Sequence, residues 1–141
     1  MTDARTLIAT LELEPHPEGG WYRETWRSQA AEDERGAATA ILFLLERGQS
    51  SHWHKVDATE LWLFHAGSPL PLRTAASDDG PVREALLGGD VVAGEQPQLR
   101  IEPGEWQSAE ARNGWTLVSC IVSPAFDFAG FTLAPPGWAP G

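Results

Sequence analysis

The 141-residue sequence contains one cysteine, one lysine and no long apolar run. A single cysteine, Cys120, excludes an internal disulfide framework. It lies in the apolar run Leu117-Val118-Ser119-Cys120-Ile121-Val122, so we expect a buried, unreactive thiol. No segment has the roughly 18 apolar residues that a membrane span needs, and no signal peptide is visible. We therefore expect a cytoplasmic protein without a membrane partner.

Positive charge is also scarce. Ten basic side chains against twenty acidic ones give a formal net charge of −10, and Lys55 is the only lysine. Nucleic-acid binding requires a basic patch, and nothing in the sequence clusters lysine and arginine. The balance thus excludes a nucleic-acid partner and disfavours anionic partners over the surface as a whole, although not inside one pocket.

The composition is otherwise that of one ordinary globular domain, with 42% hydrophobic residues. Residues 2–13 predict the only helix, because Thr2 or Asp3 can cap it and Leu7, Ile8 and Leu11 share one face. Prolines at positions 15 and 17 would end it.

From residue 19 onward, short apolar runs alternate with turn residues such as Asn113-Gly114, a strong hairpin signal. The predicted strands are 21–28, 37–45, 50–56, 61–65, 70–74, 82–87, 98–101, 115–122 and 126–133. Many short strands without intervening helices indicate an antiparallel sandwich or barrel. We divide the chain into an N-terminal helix segment (1–14), a barrel (15–135) and a C-terminal tail (136–141).

Three polar residues carry the main chemical signal. His52 and His54 are two apart, so both imidazoles should leave the same face of a strand. Glu60 begins the next predicted strand, and a hairpin would bring its carboxylate beside them. Two histidines and a carboxylate are typical of non-haem iron and related metal sites. The alternatives are a metal-free polar pocket and a structural hydrogen-bonded cluster.

Several motifs in order resemble the cupin-5 family (domain of unknown function 985). They are Pro15-His16-Pro17-Glu18-Gly19-Gly20-Trp21-Tyr22-Arg23-Glu24-Thr25, His54-Lys55-Val56, Glu60-Leu61-Trp62, Ala66-Gly67, Pro103-Gly104-Glu105-Trp106-Gln107 and Ser123-Pro124-Ala125-Phe126-Asp127-Phe128. The spacing of Gly48, His52, His54, Glu60 and Gly67 also resembles the first cupin motif. The resemblance implies an all-β fold, an antiparallel double-stranded β-helix (cupin jelly roll) with one short N-terminal helix. It further implies a homodimer whose fold is related to that of sugar epimerases. The family itself has no settled activity.

The sequence departs from the general cupin pattern at Gln107, where the second motif normally supplies a histidine. The candidate metal ligands are therefore His52, His54, Glu60 and, as a weak amide ligand, Gln107, for a divalent ion such as Fe, Mn, Ni or Zn. If no metal is bound, no other cofactor is implied.

The remaining candidates are predicted to contact a small-molecule ligand. Glu18 and Tyr22 would reach the pocket from the motif that begins at Pro15. Trp62 shares strand parity with Glu60, and His65 would face the lumen nearer the barrel end. Trp106 and Gln107 would line the wall, and Phe126 would belong to an aromatic lid. The ligand-binding set is Glu18, Tyr22, Trp62, His65, Trp106, Gln107 and Phe126.

Two function hypotheses follow, and the sequence does not decide whether the protein is an enzyme. The first is an enzyme acting on a small polar metabolite, a sugar or a carbonyl compound, either metal-dependent or with His54 as general base and Glu60 as its partner or acid. The second is a non-catalytic binder or sensor that uses the same pocket.

Overall fold

A computed structural model describes residues 2–141, so Met1, the first residue of the predicted helix segment, lies outside the described residues. Helix α1 (Ala4–Thr10) is shorter than predicted, and Asp3 caps it by accepting a hydrogen bond from the Thr6 amide at 2.8 Å. The helix ends before the prolines because Glu12 adopts a left-handed conformation with φ 56°. Among the described residues, no helix is long and apolar enough to cross a membrane.

Eleven strands follow the helix in the described chain. They are β1 (Glu14–Pro15), β2 (Trp21–Arg27), β3 (Thr39–Leu45), β4 (Ser50–Val56), β5 (Thr59–Gly67), β6 (Leu70–Ala75), β7 (Arg83–Leu87), β8 (Gln98–Ile101), β9 (Trp106–Glu110), β10 (Thr116–Ser123) and β11 (Phe131–Leu133). A six-stranded sheet has the order β1-β2-β3-β10-β5-β8, and a five-stranded sheet has the order β11-β4-β9-β6-β7. All strand pairs within these sheets are antiparallel, which confirms the predicted jelly roll.

Three parts of the strand prediction differ from the structure, and the first is the two-residue strand β1, which is absent from the predicted strands. Strand β9, central in the five-stranded sheet, is absent from the predicted strands, because its sequence Trp106-Gln107-Ser108-Ala109-Glu110 is mostly polar or small. The predicted strand 126–133 is a loop, a 3₁₀ turn (Phe128–Gly130) and only then β11. The Asp127 side chain caps that turn by accepting a hydrogen bond from the Ala129 amide at 3.0 Å.

The main core lies between the two sheets and is built around Phe43, Trp62, Leu72 and Val118. Helix α1 covers the outer face of the six-stranded sheet at Leu44. At one end of the sandwich the core gives way to a cavity rimmed by aromatic side chains, and this end positions the candidate site.

Candidate functional site

A cavity of about 220 Å³ opens between the two sheets at one end of the barrel. Its lining residues are His16, Glu18, Tyr22, Glu24, Arg27, Thr39, Ile41, His54, Val56, Glu60, Cys120, Val122, Phe126, Phe128 and Phe131. The lining combines ionisable side chains with three phenylalanines, and one of these, Phe131, lies 5.6 Å from the His54 ring. This is the ordinary composition of a small-ligand site, with an apolar body and a few placed polar groups.

His54 enters the cavity from β4 and is almost fully buried, at 1% exposure. Its Nδ1 lies 2.8 Å from the carbonyl oxygen of His52. A carbonyl only accepts hydrogen bonds, so these partners assign the proton of the neutral ring to Nδ1 and leave Nε2 as an acceptor. Burial lowers the pKa of His54, an effect that the charge of Glu60 partly opposes. The ring is thereby kept neutral with a free basic nitrogen.

His52 does not reach the cavity. The pairing of β4 with β9 shifts register between Ser51 and His54, and this bulge breaks the alternation that would have put His52 and His54 on one face. The Nε2 atom of His52 instead donates to the carbonyl oxygen of Pro135 at 3.0 Å, on the outside of the sheet. The prediction that His52 is a metal ligand beside His54 is therefore wrong.

Glu18 and His16 reach the cavity from the loop between β1 and β2. Two hydrogen bonds close the loop, since the His16 amide donates to the Gly20 carbonyl at 2.9 Å and the Gly19 amide donates to the His16 carbonyl at 3.0 Å. The His52 amide docks the loop on β4 by donating to the Glu18 carbonyl at 2.8 Å. Gly19, at φ 104°, allows this close approach, since a Cβ there would lie 2.1 Å from the Ser50 carbonyl oxygen. The loop thus requires glycine for Glu18 to lie against His54.

The carboxyl group of Glu18 bridges the two cavity histidines. One oxygen lies 3.2 Å from His16 Nδ1, and the other lies 3.1 Å from His54 Nδ1 and accepts a hydrogen bond from Ser51 Oγ. Burial raises the pKa of Glu18 to about 8, against the smaller effect of the Ser51 hydrogen bond. At neutral pH Glu18 is therefore mostly a carboxylic acid and can donate to His16.

His16 is held in the opposite tautomer to His54. Its Nδ1 accepts a hydrogen bond from the Glu18 backbone amide at 3.1 Å, which assigns the proton of the neutral ring to Nε2. Burial and the neighbouring His54 lower the pKa of His16 to about 4, so the ring is neutral at physiological pH. The cavity thus contains one imidazole with a free basic nitrogen and one with a free N–H.

Glu60 lines the cavity from β5, in the sheet opposite His54. The predicted hairpin does not pair the two strands, because the turn after Val56 passes the chain from one sheet to the other. Gln107 Nε2 donates to Glu60 Oε1 at 2.9 Å, and the Cys120 thiol also hydrogen-bonds to the carboxyl group. Burial raises the pKa of Glu60 to about 7, so near neutrality it can hold or release a proton.

Trp62 and Gln107 lie behind Glu60 and orient it. The Trp62 indole donates to Gln107 Oε1 at 2.8 Å, so the Gln107 amide presents its NH₂ group to Glu60. Strand parity correctly placed Trp62 on the inner face with Glu60. Neither Trp62 nor Gln107 is part of the cavity lining, and both act through the carboxylate.

The predicted metal ligands do not come together in the folded chain. The Gln107 oxygen is taken by Trp62, His52 faces outward, and the described residues contain no group of three histidine, cysteine or acidic side chains placed to hold a metal. The residues at this site therefore do not fit the predicted set of His52, His54, Glu60 and Gln107.

Tyr22 and Phe126 both line the cavity, as predicted. The Tyr22 ring stands edge-on to His16, with ring centroids 4.5 Å apart. Phe126 packs against Phe128 at 4.9 Å and Phe131 at 5.8 Å. The three phenylalanines form an aromatic wall over the cavity, and Phe128 is 56% exposed at its rim.

Besides Trp62 and Gln107, two further predicted ligand contacts are not part of the cavity lining. Trp106 is on the outer face of β9, where its indole donates to Asp78 at 2.8 Å. His65 lies opposite a register irregularity between β5 and β10 and points outward, with Nε2 2.6 Å from Ser119 Oγ. The prediction that these two residues contact a ligand in the lumen is wrong, because both occupy outward positions of their strands.

Sequence reasoning missed His16 and Cys120 as cavity residues. The signal for His16 was its position two residues before Glu18, but the surrounding prolines and glycines indicate only a turn. Cys120 is buried and its pKa is raised well above the usual value by burial, so the expectation of a buried thiol holds. Its contact with Glu60 was not visible in the apolar run.

Comparisons with known proteins agree with this architecture. The family model described as cupin superfamily (DUF985) matches residues 5–134. A protein from Shewanella oneidensis is 43% identical, with a TM-score of 0.86 over 95% of this chain and 85% of that one. A hypothetical protein from Leishmania major is 34% identical, with a TM-score of 0.86 over 94% of this chain and 88% of that one.

More distant structures share the fold alone. Oxalate decarboxylase from Bacillus subtilis is 13% identical, with a TM-score of 0.64 over 84% of this chain and 29% of that one. No match was found among curated proteins.

Proposed function

Since the chain belongs to the DUF985 family of the cupin superfamily, we propose that it is an enzyme that acts on a small polar metabolite held in the barrel cavity. The reaction would transfer a proton from and to the carbon atoms at and beside the carbonyl group of that metabolite. The observation that carries this proposal is the neutral His54, whose Nδ1 is fixed by the His52 carbonyl while its Nε2 is free. A protonatable carboxyl group, Glu60, lines the same cavity from the opposite sheet.

In the proposed reaction, His54 Nε2 removes a proton from the carbon beside the carbonyl. The C–H electron pair forms the C=C bond of an enediol, and the carbonyl oxygen takes a proton from Glu60. Delivery of the proton from His54 to the former carbonyl carbon, with transfer of the neighbouring hydroxyl proton to Glu60, moves the carbonyl group by one carbon and gives an isomer without net redox change. A neutral base and a protonated carboxylic acid are the pair that such chemistry needs near neutral pH.

Glu18, rather than Glu60, is the carboxyl partner of His54, at 3.1 Å. We assign Glu18 to positioning the base, because it accepts from Nδ1 and so stabilises the imidazolium that forms when Nε2 takes a proton. This separates two roles that one carboxylate was predicted to share. Glu60 is left free to act as the acid.

The size of the cavity supports a small substrate. Its volume of about 220 Å³ lies below the range of roughly 300–1,000 Å³ that is usual for drug-sized ligands. A lining that mixes ionisable groups with aromatic rings favours a compact molecule with both polar and less polar parts, such as a monosaccharide or a short hydroxycarbonyl compound.

Hydrogen–deuterium exchange tests this proposal and does not require the product to be identified. The protein is incubated in D₂O with a panel of small sugars and hydroxycarbonyl compounds, and deuterium incorporation at carbon is followed by NMR. We expect exchange on at least one compound, and a loss of about a hundredfold or more in His54→Gln, as expected for removal of a general base. Glu60→Gln should also slow exchange, because the amide cannot supply the proton.

His65→Gln is the matched control, since His65 lies on the outer face of β5. Its exchange rate should equal that of the wild type. Exchange that persists in His54→Gln would contradict the proposed role of His54.

A non-catalytic binder remains the second candidate, and the observation that favours it is the aromatic wall, which would hold a ligand without any chemistry. Thermal-shift screening with the same panel separates the two, because a bound ligand raises the melting temperature by mass action. A compound that stabilises the protein but shows neither exchange nor turnover supports the binder.

The homodimer and the cytoplasmic location implied above stay predictions. Sedimentation equilibrium tests the dimer, which would appear as twice the chain mass of 15.3 kDa.

A further inference from the structure

A second cleft, of about 280 Å³, lies on the outer face of the five-stranded sheet, outside the barrel. Sheet register builds its floor: Arg73 on β6 stands directly opposite Ser108 on β9, and β4, which carries His52 and Trp53, flanks β9 on the other side. Because strand side chains alternate, Ser108 shares this outer face with Trp106, whereas Gln107 between them points into the barrel.

Ser108 supplies an unpartnered polar group to the cleft. The residue is 4% exposed, and its Oγ is the one buried side-chain polar atom without a hydrogen-bond partner among the described residues. Leaving a buried hydroxyl unpaired is unfavourable, so such groups in native proteins normally meet a ligand or water. The unpaired hydroxyl therefore indicates that a ligand binds in the cleft.

Arg73 supplies a positive charge that no described carboxylate neutralises. Its cross-strand neighbour on β7, Glu84, is bound instead by both terminal nitrogens of Arg112, at 2.9 and 3.3 Å. The Arg73 guanidinium rests over the Trp53 ring, 5.4 Å from its centroid, which fixes its plane. In a protein of net charge −10, an ordered and unpaired guanidinium inside a cleft favours an anionic ligand.

The C-terminal tail closes the cleft from above. The Ala134 amide donates to the Trp53 carbonyl at 3.0 Å, and His52 Nε2 donates to the Pro135 carbonyl at 3.0 Å. These two contacts place Trp138 over the sheet, where its ring packs 4.6 Å from that of Trp106. The cleft is therefore lined by the Trp53 and Trp138 rings as well as by Arg73 and Ser108.

We propose that this cleft is a second binding site, which takes the oxyanion group, phosphate or carboxylate, of a small metabolite. The planar fork of Arg73 can form two parallel hydrogen bonds to two oxygens of such a group. The Ser108 hydroxyl donates a third hydrogen bond to the same oxyanion group. Trp53 and Trp138 pack against the rest of the ligand. The site is separate from the barrel cavity and does not depend on the proposed reaction.

Calorimetric titration with inorganic phosphate tests the site, with sodium chloride used to hold the ionic strength constant. We expect saturable 1:1 binding, weakened about tenfold or more in Arg73→Gln, which loses a charge-assisted pair, and about threefold or more in Ser108→Ala. Arg100→Gln is the matched control, since it removes the same charge from the exposed face of β8, where Arg100 pairs with Glu102. It should bind phosphate like the wild type.

A parallel titration with acetate identifies the source of the oxyanion, since saturable acetate binding that Arg73→Gln abolishes supports a carboxylate ligand. Without any anion, Ser108→Ala should melt at or above the wild-type temperature, because it removes an unpaired buried hydroxyl. With phosphate, its melting temperature should rise less than that of the wild type. The absence of saturable binding of either anion would overturn the proposal, and so would phosphate binding equal in Arg73→Gln, Arg100→Gln and wild type.

Discussion

His16 and His54 are the same side chain in the same cavity, yet their hydrogen-bond partners give them opposite chemistry. A carbonyl acceptor fixes the proton of His54 on Nδ1, and an amide donor fixes the proton of His16 on Nε2. One ring is therefore a base toward a ligand, and the other is a hydrogen-bond donor. The partners that decide this are backbone groups of His52 and Glu18, which side-chain substitution does not remove.

Nitrogen NMR of the histidines tests this assignment. We expect two neutral rings at pH near 7 with opposite tautomers, His54 protonated on Nδ1 and His16 on Nε2. Because burial lowers the pKa of His16 to about 4, its signals should stay those of a neutral ring down to about pH 5. Assignment uses His16→Gln and His54→Gln, which each remove one set of signals.

Matching tautomers for His16 and His54, or a His16 ring that is already charged at about pH 6, would contradict the assignment.

At the residue scale the sequence placed His54 and Glu60 in the cavity but did not give their contacts. The motif around His54 and Glu60 identified the cavity pair, but it could not show that Glu18 is the carboxyl partner of His54. That contact depends on the fold of the loop from His16 to Gly20, where a positive φ at Gly19 brings the carboxyl group against β4. Hydrogen bonds between distant segments leave no periodic signal in a sequence.

Strand β4 shows why element-level prediction was correct in bounds and wrong in orientation. Its predicted range, 50–56, agrees with the structure, yet the bulge between Ser51 and His54 reverses which residues face inward. A single extra residue in one strand exchanges the two faces beyond it. Nothing in the local sequence Ser50-Ser51-His52-Trp53-His54 marks a bulge by glycine or proline, so the alternation rule placed His52 inside.

The loop that carries Phe126 and Phe128 is held to the barrel by two arginines as well as by backbone amides. Arg35 Nε donates to the Ala125 carbonyl at 2.7 Å while its terminal nitrogens bind Asp57 at 2.7 and 3.0 Å. Arg27 donates to the Phe126 carbonyl at 3.1 Å, and the Phe126 amide donates to Thr39 Oγ1 at 3.0 Å. Phe131 is held instead by the pairing of β11 with β4, so the arginines should govern the opening of the loop and not that of the whole wall.

We predict that Arg35→Met loosens this segment while leaving the barrel folded. Limited chymotrypsin digestion should cleave after Phe126 or Phe128 about fivefold faster, the factor that corresponds to roughly 1 kcal/mol of local opening free energy for a part-exposed ion pair. Methionine keeps the apolar stem of the side chain, so the melting temperature should change little.

Arg112→Met is the control, because Arg112 also binds a carboxylate, Glu84, through two nitrogens but lies away from the aromatic wall. If both variants are cleaved at the wild-type rate, Arg35 does not hold the segment. If both are cleaved faster to the same extent, the effect is a general loss of stability.

Across the whole molecule, the buried cavity groups connect the site to the pH dependence of folding. Glu18 has a pKa raised by burial from 4.5 to about 8, and Glu60 from 4.5 to about 7. A carboxyl group whose folded pKa is raised stabilises the fold fully below its unfolded pKa, and this contribution is lost as pH rises through the folded pKa. Both groups therefore destabilise the protein as pH increases toward 8.

The cavity histidines act in the opposite direction but over a lower range. Burial lowers the pKa of His16 from 6.5 to about 4 and also lowers that of His54. Folding is therefore penalised when these rings must stay neutral below about pH 6.5, and the penalty disappears as pH rises to that value. Between about pH 4.5 and 6.5 this effect opposes that of the two carboxyl groups, and above about pH 6.5 only the carboxyl groups contribute, so stability should decline from pH 6.5 toward pH 8.

We predict that the free energy of unfolding falls by about 2 kcal/mol between pH 6.5 and pH 8, most of it from Glu18. Urea unfolding at several pH values in this window measures it. Glu18→Gln should remove most of the decline, because the amide keeps the shape of the protonated carboxyl group and cannot ionise. Glu32→Gln, which changes an exposed carboxylate in the loop before β3, should keep the wild-type decline. Equal pH slopes in Glu18→Gln and wild type would mean that Glu18 is ionised in the folded protein, and the bridge to His16 would then lack its donated proton.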